Sequence, residues 1–197
     1  MPDSSHSLDL ASEYVILVDD ENRPLGQMEK QEAHELGLLH RAFSVFLLDS
    51  RQRFLIQQRA SSKYHSKDLW ANACCSHPRP EEPLLDAAKR RLREELGIQD
   101  ITLVEAGSLQ YHLHLDQAMQ EHEYTHFFVG IYDGALDPNP EEIQDVAWVY
   151  LEELIEDVQA NPQDYARWFR LYVNKKSGES CVLERVLSMI WEDAFGA

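Results

Sequence analysis

Glu121 and Glu123 stand two apart in Gln120-Glu121-His122-Glu123-Tyr124, a stretch that continues into Thr125-His126-Phe127-Phe128-Val129. In an extended segment residues two apart share a face, so both carboxylates can approach one cation while His122 points away. The same spacing sets Cys75 beside His77, and separates Cys75 from its neighbour Cys74, which faces inward as a small buried hydrophobe. Thiol, imidazole and carboxylate groups gathered this way can ligate a divalent metal or move protons. His112 and His114 alternate in the same fashion and offer a rival metal pair. A lone histidine is by default a surface or hydrogen-bonded residue, which is the reading for His6 and His65. The run Arg90-Arg91-Leu92-Arg93-Glu94-Glu95 reads by itself as a solvated helix face laced by i,i+4 pairs.

These side chains need elements to hold them. Leu84 to Leu96 carries apolar residues at 84, 85, 88, 92 and 96, which predicts an amphipathic helix with Pro83 in its first turn and Gly97 at its end. Tyr14 to Val18 reads as a strand, and Met28 to His34 as helix or loop. Ala42 to Leu48 and Arg53 to Gln58 flank Asp49-Ser50-Arg51-Gln52 and predict a hairpin. Further strands are expected over Leu103–Leu115, His122–Tyr132 and Val146–Tyr150, and helices over 151–159, 163–173 and 180–193. Strands flanked by helices without a clear linker imply an α/β (α+β) sandwich in one domain spanning 1–197, with a loose start over about 1–12.

Composition narrows the partners. Acidic residues number 35 against 18 basic, a formal charge of −17, which repels phosphate backbones and argues against nucleic acid. Any anionic substrate must then meet a local basic pocket. No apolar run approaches the roughly 20 residues of a membrane span, and the start has no basic-then-apolar pattern of an export signal. The 3 cysteines do not make a disulfide framework and suit a reducing compartment. The expectation is a cytoplasmic protein with neither membrane nor nucleic-acid partner.

The segment from Ser76 to Ile98 resembles the Nudix box, G-x5-E-x7-R-E-U-x-E-E-x-G-U with U apolar, through Glu82, Arg90, Leu92, Glu94, Glu95, Gly97 and Ile98. It departs at Ser76, in place of glycine, and at Arg91, in place of a glutamate that serves metal binding in Nudix hydrolases. Upstream, Trp70-Ala71-Asn72-Ala73-Cys74-Cys75-Ser76-His77-Pro78 and Leu39-His40-Arg41-Ala42-Phe43-Ser44, with His34 before them, resemble type I isopentenyl diphosphate isomerase. The resemblance runs from about Tyr14 to the Trp168 region, and these strings are far more specific than the helix.

That resemblance implies a Nudix-like mixed sheet sandwiched between helices, and the isomerisation of isopentenyl to dimethylallyl diphosphate in isoprenoid biosynthesis. It implies a metal at His34, His40, His77, Glu121 and Glu123, with Mn, Zn or Mg all acceptable to such a donor set. Glu95 matches a position holding a second Mg ion against the diphosphate. Lys30, Arg59, Lys63 and Arg91 match positions that hold the diphosphate, which gives Arg91 a purpose in an otherwise Nudix-like helix. Moving the double bond needs an acid and a base around a carbocation-like intermediate, in a pocket that excludes water. Glu123 with Tyr111 is read as the acid side and Cys75, as a thiolate, as the base side. Trp168 matches an aromatic wall whose face stabilises positive charge, although helix packing explains its periodicity equally well. The partner is a small isoprenoid diphosphate, handled by a monomer or weak homodimer.

Two other classes stay in view. A Nudix pyrophosphohydrolase would share fold and Mg but break a phosphoanhydride bond. A structural zinc module built on Cys74, Cys75, His77 and a further histidine would need no substrate, but adjacent cysteines lack the usual C-x2-C spacing.

Overall fold

The computed structural model of the chain describes residues 14–63, 65–115, 119–174 and 180–195, the last five of these by backbone alone. The start read as loose through residue 12, His6 included, lies outside the described residues. Strands β1 (Tyr14–Val18) and β2 (Pro24–Glu29) pair as a hairpin, followed by helix α1 (Lys30–Leu36) and strands β3 (His40–Leu48), β4 (Phe54–Arg59), β5 (Trp70–Asn72) and β6 (Cys74–Ser76). Helix α2 (Leu84–Leu96) precedes β7 (Val104–His114), β8 (Gln120–Ile131) and β9 (Ile143–Val149), and helices α3 (Leu151–Ala160), α4 (Arg167–Val173) and α5 (Val182–Phe195) close the order.

The strands form one mixed sheet around β3. That strand pairs in parallel with β8 along its whole length, from His40 opposite Glu123 to Leu48 opposite Ile131, and antiparallel with β6. Its sequence is a nearly unbroken apolar run because both faces are covered. Phe43, Val45 and Leu47 pack with Ala88, Leu92 and Leu96 of α2, whereas Phe46 and Leu48 pack with Leu154, Phe169 and Val186 of α3, α4 and α5. Of the stripe read from the sequence, Ala88, Leu92 and Leu96 face the core and Leu84 packs at its edge, whereas Leu85 is exposed and Ala87 is buried in its stead. Gly97 ends α2 at φ 71, a left-handed cap whose N–H returns to Arg93 O, and a Cβ there would stand 2.8 Å from Asp137 Cβ.

Among the differences from expectation, three have local reasons. The reversal at Asp49–Arg53 forms, but β3 and β4 touch only at Leu48 and Phe54, because β6 and β8 occupy the edges of β3 while β5 and β9 flank β4. Met28–His34 divides at Glu29, whose side chain accepts from Glu32 N–H at 2.8 Å and starts α1. The helix expected from residue 163 begins at Arg167, since Tyr165 is extended beside Trp70 and Ala166 N–H donates to Trp70 O at 2.9 Å.

Candidate active site

Four ligand-type groups converge from four elements. His34 comes from α1, His40 from the first residue of β3, His77 from just past β6 and Glu123 from β8, with ligand atoms all within 4.8 Å of one another. The parallel register places Glu123 directly opposite His40. Imidazole Nδ1 of His34 donates to Lys30 O at 2.6 Å and that of His40 to Leu38 O at 2.8 Å, which puts the lone pair of each neutral ring on Nε2. His40 Nε2 faces His77 Nε2 at 3.2 Å, and His77 Nε2 faces Glu123 Oε1 at 3.2 Å. Burial, then the neighbouring His77, pushes His34 down to about 4 and His40 to about 3, so both rings are neutral at ordinary pH. Burial would raise the Glu123 carboxyl, but His77, His40 and the Tyr111 hydroxyl outweigh it and hold it well below the usual carboxylate range.

Glu121 shares the buried face with Glu123, as alternation requires, while His122 turns away to Gly37 O at 3.0 Å. It lies outside the four-group cluster, yet lines the same pocket, and its buried Oε2 has no hydrogen-bond partner among the described residues. Burial and the charge of Glu123 push its carboxyl well up. Two buried carboxylates of which only one is ionised, beside three neutral imidazoles, fit a divalent cation: such an ion would let both carboxylates carry charge and would accept the facing lone pairs. His112 and His114 are on the outer face, where His112 stacks on His122 at 4.3 Å and bonds Gln120 at 2.9 Å. They belong to no metal-competent group among the described residues.

Of the two readings for His65, surface or hydrogen-bonded, the second holds: its Nδ1 meets Ser66 Oγ at 3.3 Å. It lines the pocket with its ring 6.1 Å from His34 and 5.9 Å from Trp168, and its Nδ1 stands 3.9 Å from Glu121 Oε1. The loop between β4 and β5 delivers it together with Lys63, and no periodicity in that polar stretch marks it.

The basic residues form the other wall. Lys30, Arg59, Lys63 and Arg91 line one pocket with His34, His65, His77, Cys75 and Tyr111. Burial pushes Lys30 down to about 8, and the positive charges of Lys63, Arg91 and Arg59 push the same way. The mutual repulsion marks a place where an anion would be stabilised. Arg91 is held by Glu95 at 2.6 Å, Glu94 at 2.9 Å and Glu142 at 3.3 Å, and Lys63 also pairs with Glu142. Glu95 stands behind Arg91 and outside the pocket wall, accepting from Arg91, from Gln57 at 3.2 Å and from the Cys74 thiol at 3.4 Å.

Cys75 and Cys74 face opposite ways, as alternation predicts: Cys74 is fully buried under α2 and Cys75 lines the pocket. The thiolate expectation for Cys75 is corrected. Burial pushes its thiol up to about 12, so sulfur keeps its proton at rest and donates it to Asn72 Oδ1 at 2.9 Å. Across the site Tyr111 donates to Glu123 Oε2 at 2.6 Å and Thr125 to the same oxygen at 3.0 Å. Trp168 is 3% exposed, and the Arg59 guanidinium lies 5.2 Å from its ring centre. Phe43, also buried, lines the same pocket, and buried Tyr172 stands behind it with its hydroxyl 3.2 Å from Ser44 Oγ.

The NUDIX domain family model matches residues 38–171 of this chain. The chain is 48% identical over 154 residues to "Isopentenyl-diphosphate Delta-isomerase 2" of Aromatoleum aromaticum, covering 78% of this chain and 81% of that protein. It is 45% identical over 157 residues to the isopentenyl-diphosphate Delta-isomerase of Pectobacterium atrosepticum, covering 80% and 87%. Among solved structures, DR0079 from Deinococcus radiodurans superposes with a TM-score of 0.63 at 19% identity, covering 76% of this chain and 90% of that one. That likeness concerns the fold alone.

Proposed function

This chain belongs to the isopentenyl-diphosphate Delta-isomerase family, built on the NUDIX domain, and from that premise we propose how its pocket moves the double bond of isopentenyl diphosphate to give dimethylallyl diphosphate. The observation that carries the reading is one pocket in which a cysteine and a carboxylate–tyrosine pair meet four cations. Lys30, Arg59, Lys63 and Arg91 hold the diphosphate, the arginines matching its oxygens with paired donors. The hydrocarbon then lies between Cys75 and the Glu123–Tyr111 pair, which exchange protons with it. One group adds a proton at the terminal carbon and the other removes one from the neighbouring methylene, and the reverse reaction exchanges their roles. Trp168 and Phe43 keep water from the cation-like intermediate, and the Trp168 ring face favours positive charge.

His34, His40, His77 and Glu123, with Glu121 beside them, would hold a divalent Mn, Zn or Mg ion. Such an ion supplies positive charge that fixes Glu123 and tunes its acidity. A Mg ion accompanying the diphosphate would meet Glu95 only if Arg91 yields its pairing, since Arg91 occupies that carboxylate. The same pairing disfavours phosphoanhydride hydrolysis: Arg91 neutralises Glu94 and Glu95, the acidic residues that a Nudix hydrolase would give to metal.

The test is incubation with isopentenyl diphosphate and Mg in deuterated water, followed by NMR. Dimethylallyl diphosphate carrying deuterium, with little inorganic phosphate, is the expected result. Phosphate or isopentenyl monophosphate as the main product would overturn it.

A further inference from the structure

Cys75 and Glu123 reach the pocket from different strands, and a line of buried hydroxyls joins them through the protein. Ser44 Oγ stands 3.3 Å from Cys75 Sγ, because the two residues lie opposite one another in the β3–β6 ladder. The Tyr172 hydroxyl of α4 is 3.2 Å from the same Ser44 oxygen. Tyr172 is also hydrogen-bonded to the Tyr111 side chain, whose ring centre lies 6.3 Å from its own. Tyr111 in turn donates to Glu123 Oε2 at 2.6 Å. These hydroxyls form a continuous run whose ends are the two groups proposed to exchange protons with the substrate. Ser44 is 1% exposed and Tyr172 0%, and the rings of Phe46 and Phe127 pack on Tyr172 at 5.7 and 5.1 Å. A buried hydroxyl needs a partner for stability alone. That need is local, however, and does not require the run to end on both reacting groups.

The chemistry calls for such a link. Each turnover takes a proton from one group and leaves one on the other. As the structure stands, the Cys75 thiol donates to Asn72 Oδ1 at 2.9 Å, and Glu123 Oε2 accepts from both Tyr111 and Thr125. A turnover that begins from this pair leaves a thiolate and a carboxylic acid. The swapped pair suits only the reverse reaction, so it must be reset before a second isopentenyl diphosphate can react. Asn72 Oδ1 has no proton to give back to the sulfur. The Ser44 hydroxyl does, since it can donate to a thiolate as well as accept from a thiol.

We propose that Tyr111, Tyr172 and Ser44 are a proton relay that resets the active site between turnovers. Glu123 gives its proton to the Tyr111 oxygen, Tyr111 gives its own to Tyr172, Tyr172 to Ser44, and Ser44 to the Cys75 sulfur. Each hydroxyl ends with one proton, the last O–H bond broken is replaced by the S–H bond, and no other reactant takes part. The inference rests on Cys75 and Glu123 being the proton-transfer pair.

The experiment is rapid-quench product formation with isopentenyl diphosphate in excess over enzyme, comparing wild type, Tyr172→Phe, Ser44→Ala and Cys75→Ala. The first two variants each remove one oxygen from the run and leave sulfur and carboxylate in place. Both should form the first equivalent of dimethylallyl diphosphate within about twofold of the wild-type rate, then slow about 10²-fold, the scale of a positioned proton-transfer group. A hydroxyl with a merely structural role would give no such burst, because a misshapen site is slow from its first turnover. Steady turnover at the wild-type rate in either variant, or a first turnover slowed as much as the later ones, would overturn the inference. If Cys75→Ala isomerises at the wild-type rate, the proton-transfer reading fails and the inference with it. If Cys75→Ala is inactive while a relay variant shows no burst, the inference alone fails. Should neither relay variant fold, wild-type turnover in mixtures of light and heavy water decides. A rate that bows below a straight line against deuterium content is expected, since several protons move together, and a straight line refutes.

Discussion

Tyr111→Phe removes one oxygen and leaves the ring. The hydroxyl donates to Glu123 Oε2 at 2.6 Å, and after its loss Glu123 still has Thr125 at 3.0 Å and His77 at 3.2 Å. A hydrogen bond to a charged group contributes about 1.5–3 kcal/mol. If that bond acts on the proton as it moves, kcat should fall about 10- to 150-fold. KM should stay within about twofold, because the four cations of the pocket wall, proposed to hold the diphosphate, are untouched. The stability cost is smaller, about 1 kcal/mol or roughly 2–4 °C in Tm, since a buried hydroxyl leaves along with its partner bond. The assay is product appearance by NMR at saturating isopentenyl diphosphate, with Tm and metal content measured on the same preparation. A kcat within twofold of wild type, alongside an inactive Glu123→Gln, would show that Glu123 works without this hydroxyl.

Further expectations come from the same geometry. His77→Ala should lose bound metal by elemental analysis, because His77 Nε2 stands between His40 and Glu123, whereas His112→Ala on the outer face should keep full occupancy; equal retention in both would mean the ligands are misassigned. Cys75→Ala should abolish isomerisation while staying folded, and Cys74→Ala should retain much of the activity while losing about 1 kcal/mol by denaturant titration. The reverse pattern would shift the whole assignment by one residue. For the metal-free protein, His34 and His40 titrate at about 4 and about 3 when folded, below their unfolded value near 6.5. The unfolded chain therefore takes up protons first, so stability is complete above about pH 6.5 and falls as pH drops toward 3. A urea midpoint that is flat between pH 7 and pH 4 would contradict that sign.

The sequence was most legible where one period or one string carried the signal. The stripe of α2 gave both ends of that helix, because Leu92 and Leu96 must face the core and Gly97 alone suits the left-handed cap. Alternation correctly sorted Cys74 from Cys75 and Glu123 from His122. What it hid depends on pairing between distant strands. Nothing local to Ala42–Leu48 says that its edges go to β6 and β8 and not to β4. His65 stood in a polar loop where spacing carries no information about which way a ring turns. The thiolate reading of Cys75 failed because a string of residues shows neighbours in sequence, while desolvation depends on what lies overhead.

The side-by-side placement of His40 and Glu123 on parallel strands has a consequence for how the chain matures. His40 is 37 residues from His77, and His77 is 46 residues from Glu123, so no local segment can assemble this group of ligands. Parallel pairing over such separations is slow to form, because loop entropy must be lost before any contact is gained. An ion that binds only the finished arrangement would then act as a late reporter of correct topology. A one-residue slip between β3 and β8 would turn Glu123 to the opposite face and erase the signal. If the group takes up an ion as proposed, its capture during refolding would be a clock for strand registration, readable without any substrate at all.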